Sequence, residues 1–253
     1  MNGEVFGMSS FVVLDDVALF YTLRSTRRFD ARIHRVALDG SRLEAADVID
    51  DGRERGAYGF ARAPNRTAVI TDWDAFDFFG SCRVRRFGSD GVQTSADPCY
   101  ERNGIEQSPY RLALTSAGEL YGLVNRFTLG QESVRTGRGR WNLMRFDADG
   151  DALWFRTAYD GPNLLSGAIH ADDLGRVSYA TGNRWARIDP VTGADVATHT
   201  VRTTLGAAAI RGIAANRAGD LYLAGNATGP IEGAPPPVGG TDLFVVRNPE
   251  SLD

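Results

Sequence analysis

The chain has 253 residues, 43% apolar and 24% charged, and no apolar run approaches the ~20 residues that a membrane helix requires. A formal net charge of −4 argues against general attraction to nucleic acid, which ordinarily shows as a basic face or stripe. All 28 basic residues are arginine, a bias that a GC-rich genome explains without any functional demand for guanidinium.

The first ten residues, MNGEVFGMSS, carry neither a basic n-region nor a long apolar h-region, so no secretory signal is expected in this chain. Within them GEVFGMS reads as a lone strand. From residue 11 a phrase recurs: FVVLDDVALFYTLR (11 to 24), FARAPNRTAVITDW (60 to 73), LALTSAGELYGLVN (112 to 125), IHADDLGRVSYATGN (169 to 183) and AANRAGDLYLAGNATG (214 to 229). Each copy alternates apolar and polar residues across two short runs split by a turn. The central positions Leu19, Ala68, Leu120, Val177 and Leu221 are 44 to 57 residues apart.

A second phrase follows each first one: RIHRVALDGSRLEAA, CRVRRFGSDGVQTSA, WNLMRFDADGDALWF, RWARIDPVTGADVAT and DLFVVRNPESLD. The first four run from strand through a glycine-containing turn into strand, the signature of a hairpin. Two hairpins make a four-stranded unit, strands A to D from the inside outward. A period near 50 built only of strands predicts propeller blades, approximately at 9–50, 57–100, 108–158, 166–202 and 209–253 of one domain. The fifth copy stops after its third strand. Residues 3–8 are expected to supply the missing one by pairing with 242–247, which closes the ring and leaves no open seam. The predicted fold is thus an all-β, five-bladed β-propeller.

The stretches AGDLYLAGNATG and GGTDLFVVRNPE resemble the bacterial SBBP propeller repeat, and the A-to-C pattern is similar to NHL repeats and to the gluconolactonase/regucalcin propellers. The repeat resemblance implies an extracytoplasmic bacterial protein.

Cys82 opens strand C of the second blade and Cys99 lies late in its strand D, about opposite across the turn at Gly88–Gly91. A cross-strand disulfide there closes a loop of about 18 residues, worth ~3 kcal/mol in the chain-entropy model. It implies an oxidising compartment, hence export.

Propeller sites sit over the channel, on the face made by the D-to-A and B-to-C loops. Counting along the B strands places Arg24, Asp72, Asn125, Asn183 and Asn226 at corresponding ends on that face. Ser10, Tyr58, Tyr110, Arg111 and Arg211 stand at the starts of the A strands, with Glu106 close by. Convergent donors and acceptors of this kind suit a polar ligand, although strand ends are polar in any propeller. Two B-to-C loops are long: 125–140 carries Arg126, Arg135, Arg138 and Arg140, able to clamp an anion, and 225–240 is stiffened by prolines, three of them consecutive at 235–237. Phe76, Phe78 and Phe79 serve either ligand stacking or packing between blades.

DADGD (147 to 151) spaces Asp147, Asp149 and Asp151 like the start of a calcium loop, but position 158, where the closing glutamate belongs, is alanine. His34, His170 and His199 fall on different strands without HExxH or comparable spacing, and GxSxG, GxxxxGK[ST] and GxGxxG are absent. The leading expectation is an exported binding module that holds a polar or anionic small molecule, a carbohydrate or a protein partner on its top face, without cofactor. The alternative is a metal-dependent hydrolase, lactonase or glycosidase, with a divalent cation such as calcium in the channel and a site drawn from Asp72, Glu106, Asn125 and Asn183.

Overall fold

The structure, a computed structural model, describes residues 6–14, 17–26, 28–41, 43–49, 55–62, 68–74, 83–87, 93–98, 101–102, 105–106, 109–125, 138–146, 152–162, 167–172, 174–216, 219–233 and 240–247. Side chains are described for 34, 36–41, 111–124, 140–146, 152–161, 167–172, 174–216, 219–233 and 240–247.

Every regular element among these residues is a strand. Sheet one holds β1 (Phe6–Leu14), β2 (Val17–Thr26), β3 (Arg28–Ala37) and β4 (Leu43–Ile49), in that order. Sheet two holds β5 (Arg55–Arg62), β6 (Ala68–Asp74), β7 (Arg83–Phe87) and β8 (Gln93–Pro98). A two-stranded hairpin, β9 (Glu101–Arg102) with β10 (Ile105–Glu106), precedes sheet three. Sheet three holds β11 (Pro109–Leu114), β12 (Leu120–Asn125), β13 (Arg138–Phe146) and β14 (Ala152–Pro162). Sheet four holds β15 (Gly167–Ala171), β16 (Val177–Thr181), β17 (Arg184–Ile188) and β18 (Asp195–Thr200). Sheet five holds β19 (Ala208–Ala215), β20 (Leu221–Ala227) and β21 (Asp242–Arg247). Each sheet is an antiparallel meander. Its first strand packs beside the first strand of the next, so β1, β5, β11, β15 and β19 follow one another as inner strands.

The inner hairpins of the last three sheets turn on one device. Thr115, Asp172 and Asn216 occupy the same place, and each donates its amide to the carbonyl four residues on, Glu119, Arg176 and Asp220. Each returns a side-chain oxygen to the amide of that partner, at 3.1, 2.8 and 2.9 Å. Gly118, Gly175 and Gly219 precede the partners at φ 86°, 76° and 86°, a left-handed backbone that a Cβ disfavours. The turn therefore needs a short acceptor, then glycine three residues later. This is the physical content of the recurring TSAGE, DDLGR and NRAGD.

Strand alternation sends neighbouring side chains to opposite faces, and sheet three is buried on both. Leu112, Leu120, Val124, Met144 and Phe146 pack together on one face. On the other, Tyr121, Leu123, Trp141 and Leu143 pack against Val177, Tyr179, Ala186 and Ile188 of sheet four. The reverse face of sheet four sets Ala168, Ala180 and Trp185, with Val201, against Ile210, Leu221 and Leu223 of sheet five. Each large side chain so buried contributes about 1.5–3 kcal/mol.

Polar ties cross the same seams. Arg145 pairs with Glu119 of its own sheet and donates to the Pro190 carbonyl of sheet four at 3.1 Å, and Trp154 Nε1 donates to that carbonyl at 3.1 Å. Arg156 of sheet three and Arg184 of sheet four share the Asp195 carboxylate, Arg184 Nη2 at 2.8 Å. Arg176 Nη2 donates to the Gly219 carbonyl at 2.8 Å, joining the inner turns of sheets four and five.

One expectation is corrected here. Phe6, Gly7 and Met8 pair with Arg24, Leu23 and Thr22 in sheet one, not with residues 242–247. A bulge at Ser9–Ser10, opposite Tyr21, lets one strand run from Phe6 to Leu14, so the expected lone strand is the beginning of β1. Among the described residues β21 pairs only with β20.

Candidate functional site at the mouth of the inner strands

Antiparallel pairing brings the starts of the inner strands and the finishes of the second strands to one end, the mouth. The inner turns at 115–119, 172–176 and 216–220 lie at the other. The links that leave the second strands at the mouth differ widely. Thr26 pairs with Arg28 across a single residue in sheet one. In sheet four Gly182 (φ 62°) and Asn183 make a two-residue turn. In sheets two, three and five, 8, 12 and 14 residues separate the second strand from the third.

The pairing registers decide which expected residues come together. At the mouth Asp72 lies opposite Ala57, Arg24 opposite Phe6, Asn125 opposite Trp141 and Asn226 opposite Ala209. Glu106 lies opposite Glu101 in the β9–β10 hairpin. Four inner strands contain a register break, and the last pairs on its mouth side are Met8 with Thr22, Ala57 with Asp72, Pro109 with Val124, and Ile210 with Gly225. Counted from the inner-turn pairs Leu14–Val17, Arg62–Ala68, Leu114–Leu120 and Ala215–Leu221, Asp72 stands four residues along its second strand, Asn125 and Asn226 five, and Arg24 seven. Likewise Arg111, opposite Leu123, matches Gly212 of sheet five, whereas Arg211 matches Tyr110.

The described part of the mouth belongs to sheets four and five. Arg211 is the extra residue of the β19 break and is exposed. Its Nε donates to Asn226 Oδ1 at 2.9 Å. Among the described residues the rest of that guanidinium meets no further partner, which leaves its terminal amino groups for an anion. Asn183 instead secures its own turn. Its Nδ2 donates to the Val201 carbonyl at 3.1 Å, and its carbonyl accepts the Val201 amide at 2.9 Å. Ile210 N–H donates to the Gly182 carbonyl at 2.7 Å, tying the start of β19 to the same turn.

Beside Arg211 the segment 201–207 is laced to 228–232. Thr204 N–H donates to the Pro230 carbonyl at 3.0 Å, Glu232 N–H to Arg202 at 3.1 Å and Thr228 N–H to Ala207 at 2.8 Å, with a bridge between Thr203 and Ile231. A Cβ on Gly229 would fall 1.5 Å from the Leu205 carbonyl oxygen, so this approach requires glycine. The first part of the proline-bearing loop is therefore a fixed rim.

Other candidates are engaged with partners or fall outside what is described. Arg140, next to Trp141 near the start of β13, lies at the mouth end of sheet three, and its Nε donates to Asp160 at 3.0 Å. Arg126, Arg135, Phe76, Phe78, Phe79, Cys82, Cys99 and the aspartates of 147–151 lie outside the described residues, as do the side chains of Arg24, Asp72, Glu106, Tyr110 and Asn125. Among the described residues no three His, Cys, Asp or Glu side chains come close enough to hold a metal. Sequence reading missed Asn142, which is 1% exposed; its Oδ1 accepts from Thr157 at 3.3 Å while its Nδ2 has no partner among the described residues. No local signal marks it, because its burial depends on the packing of sheet three.

No family model matches the sequence, and no curated protein matches it. Solved structures do. A provisionally assigned gluconolactonase superimposes with a TM-score of 0.51 at 15% identity, over 90% of this chain and 74% of that one. The major allergen Mala s 1 of Malassezia sympodialis gives 0.56 at 11% identity, over 96% and 80%. An α-L-arabinofuranosidase of Fusarium graminearum, solved with an iminosugar inhibitor, gives 0.58 at 10% identity, over 91% and 71%. Radial antiparallel meanders shared over nine-tenths of the chain identify the fold as an all-β propeller, similar to that of the gluconolactonases.

Proposed function

We propose that this chain is a five-bladed propeller hydrolase that opens a sugar lactone or cleaves a glycoside at the mouth of its central channel. The observation that carries the reading is the exposed Arg211, steered by Asn226 beside a fixed rim at the place where propeller ligands bind. The likeness to a gluconolactonase and to an arabinofuranosidase supports it. Asp72, beside the register break of β5, and Glu106, just ahead of sheet three, are the proposed carboxylates, one to take a proton from water and one to protonate the leaving oxygen. A divalent cation such as calcium, if the enzyme uses one, falls to Asp72, Glu106 and Asn125.

The test is acid release from glucono-δ-lactone in a pH-stat and nitrophenol release from an aryl α-L-arabinofuranoside, each with calcium and with EDTA. Turnover that falls at least a hundredfold in Asp72→Asn or Glu106→Gln supports the reading. Absence of turnover on both substrates, with and without calcium, rejects it in favour of a pure binding module, for which Arg211 and Asn226 equally suffice.

The compartment belongs to the same proposal. Arg83 and Pro98 form the last described pair of β7 and β8 and are flanked in sequence by Cys82 and Cys99, which supports a disulfide and export. Peptide mapping without reduction should recover the Cys82–Cys99 link from protein made in an oxidising compartment. Two alkylatable thiols there would overturn both points.

A further inference from the structure

Four of the five inner strands lose register at one height. The unmatched residues are Ser9–Ser10 in β1, Tyr58 in β5, Tyr110 in β11 and Arg211 in β19. Ser10, Tyr58, Tyr110 and Arg211 each stand four residues before the last residue of their strand. The fifth inner strand, β15, pairs without a break. The residue at that height is Gly167, where a Cβ would fall 2.7 Å from Leu123 Cδ2 and 3.0 Å from Trp141. Sheet three's packing thus occupies the space a side chain there would need.

A bulge interrupts the ladder, which costs a hydrogen bond, and re-aims the extra residue out of the strand's alternation. One such slip is ordinary; four at the same level, on β1, β5, β11 and, beyond the unbroken β15, β19, make a feature of the mouth. Their chemistry differs from strand to strand, being hydroxyl, phenol, phenol and guanidinium. The described inner turns at the far end, those of sheets three, four and five, instead repeat their chemistry. Constant backbone with variable side chains is the arrangement of a binding site on a repeated scaffold.

We infer that Ser9–Ser10, Tyr58, Tyr110 and Arg211 form a single ligand-binding girdle, open at Gly167, and that its ligand is a sugar bearing a carboxylate. Phenols combine an apolar ring face with a hydroxyl, which suits the two kinds of surface a pyranose presents. The Arg211 guanidinium, turned by Asn226 and unengaged at its terminal nitrogens among the described residues, suits a planar carboxylate. With a net charge of −4, attraction of an anion is local to this arginine rather than a property of the whole molecule. The inference rests on the mouth being the site proposed above and adds the ligand class.

The experiment is calorimetric titration of the full chain with D-glucuronate, methyl glucoside and glucose 6-phosphate. Glucuronate should bind at least tenfold more tightly than the other two. Arg211→Ala should remove that preference and leave methyl glucoside unchanged, since a charge-assisted hydrogen bond is worth about tenfold or more. Tyr58→Ala and Tyr110→Ala should weaken both sugars by about tenfold, while Arg247→Ala at the opposite end changes neither. Equal affinity for glucuronate and methyl glucoside, preference for the phosphate, or an Arg211→Ala protein that binds glucuronate normally overturns the inference. So does the absence of sugar binding altogether. Lactone turnover without carboxylate preference sinks the girdle and spares the hydrolase; Arg211-dependent glucuronate binding without turnover does the reverse.

Discussion

The two ends of the inner hairpins repeat in opposite ways. At the turn end a Thr, an Asp and an Asn do one job: each oxygen accepts the amide of the residue four places on, before a positive-φ glycine. At the mouth the backbone slip repeats while the residue carried on it changes from serine to tyrosine to arginine. The hydrogen-bond need of this turn is the same in sheets three, four and five, so its chemistry stays the same. A ligand is contacted differently from each side, so chemistry at the mouth diverges. The turn end therefore reads as scaffold and the mouth as the working surface.

The largest expected effect tests the seam on which both ends depend. Trp185 is fully buried between sheets four and five, and Trp185→Ala should cost about 3–5 kcal/mol in urea unfolding. A smaller loss is expected at the turn end. Asp172 Oδ1 accepts from the amides of Leu174 and Arg176, and its other oxygen pairs with the Arg176 side chain. Asp172→Ala leaves those donors without it and should cost about 1–3 kcal/mol, with ligand affinity unchanged. Asp172→Asn, which keeps the turn acceptor, should recover most of the loss. The smallest effect is at the mouth. Arg211→Ala should alter stability by no more than ~0.5 kcal/mol, as exposed side chains outside the core usually do. If the last two stabilities came out reversed, the division into scaffold and working surface would be wrong.

The architecture was legible because its punctuation is local. Ala-Gly-acid followed by Leu-Tyr recurs at 117–121 and 218–222, and a glycine at positive φ is a requirement that sequence shows directly. The registers were not legible. A bulge is one residue without a partner, and its place depends on how neighbouring sheets crowd the strand, not on the residue itself. Counting along the phrases aligned Arg24 and Asp72 with Asn125 and Asn226, whereas the pairing registers give only the last two the same height. The lone N-terminal strand misled for a related reason: the fifth copy's missing strand invited its assignment there, whereas the slip at Ser9–Ser10 joins it to the rest of β1. Tyr110 and Arg211 were found as mouth residues, but only the register shows them to be equivalent.

Trp154 gives the seam between sheets three and four a further property. Its indole donates across the seam to the Pro190 carbonyl, its ring lies 6.1 Å from that of Tyr121 at 57°, and it covers Gly193, where a Cβ would come within 3.0 Å. Parting of the two sheets breaks that bond and wets a fluorophore that is otherwise half-buried. The protein thus carries its own optical gauge of blade separation, read as a red shift in emission, without any label attached to it.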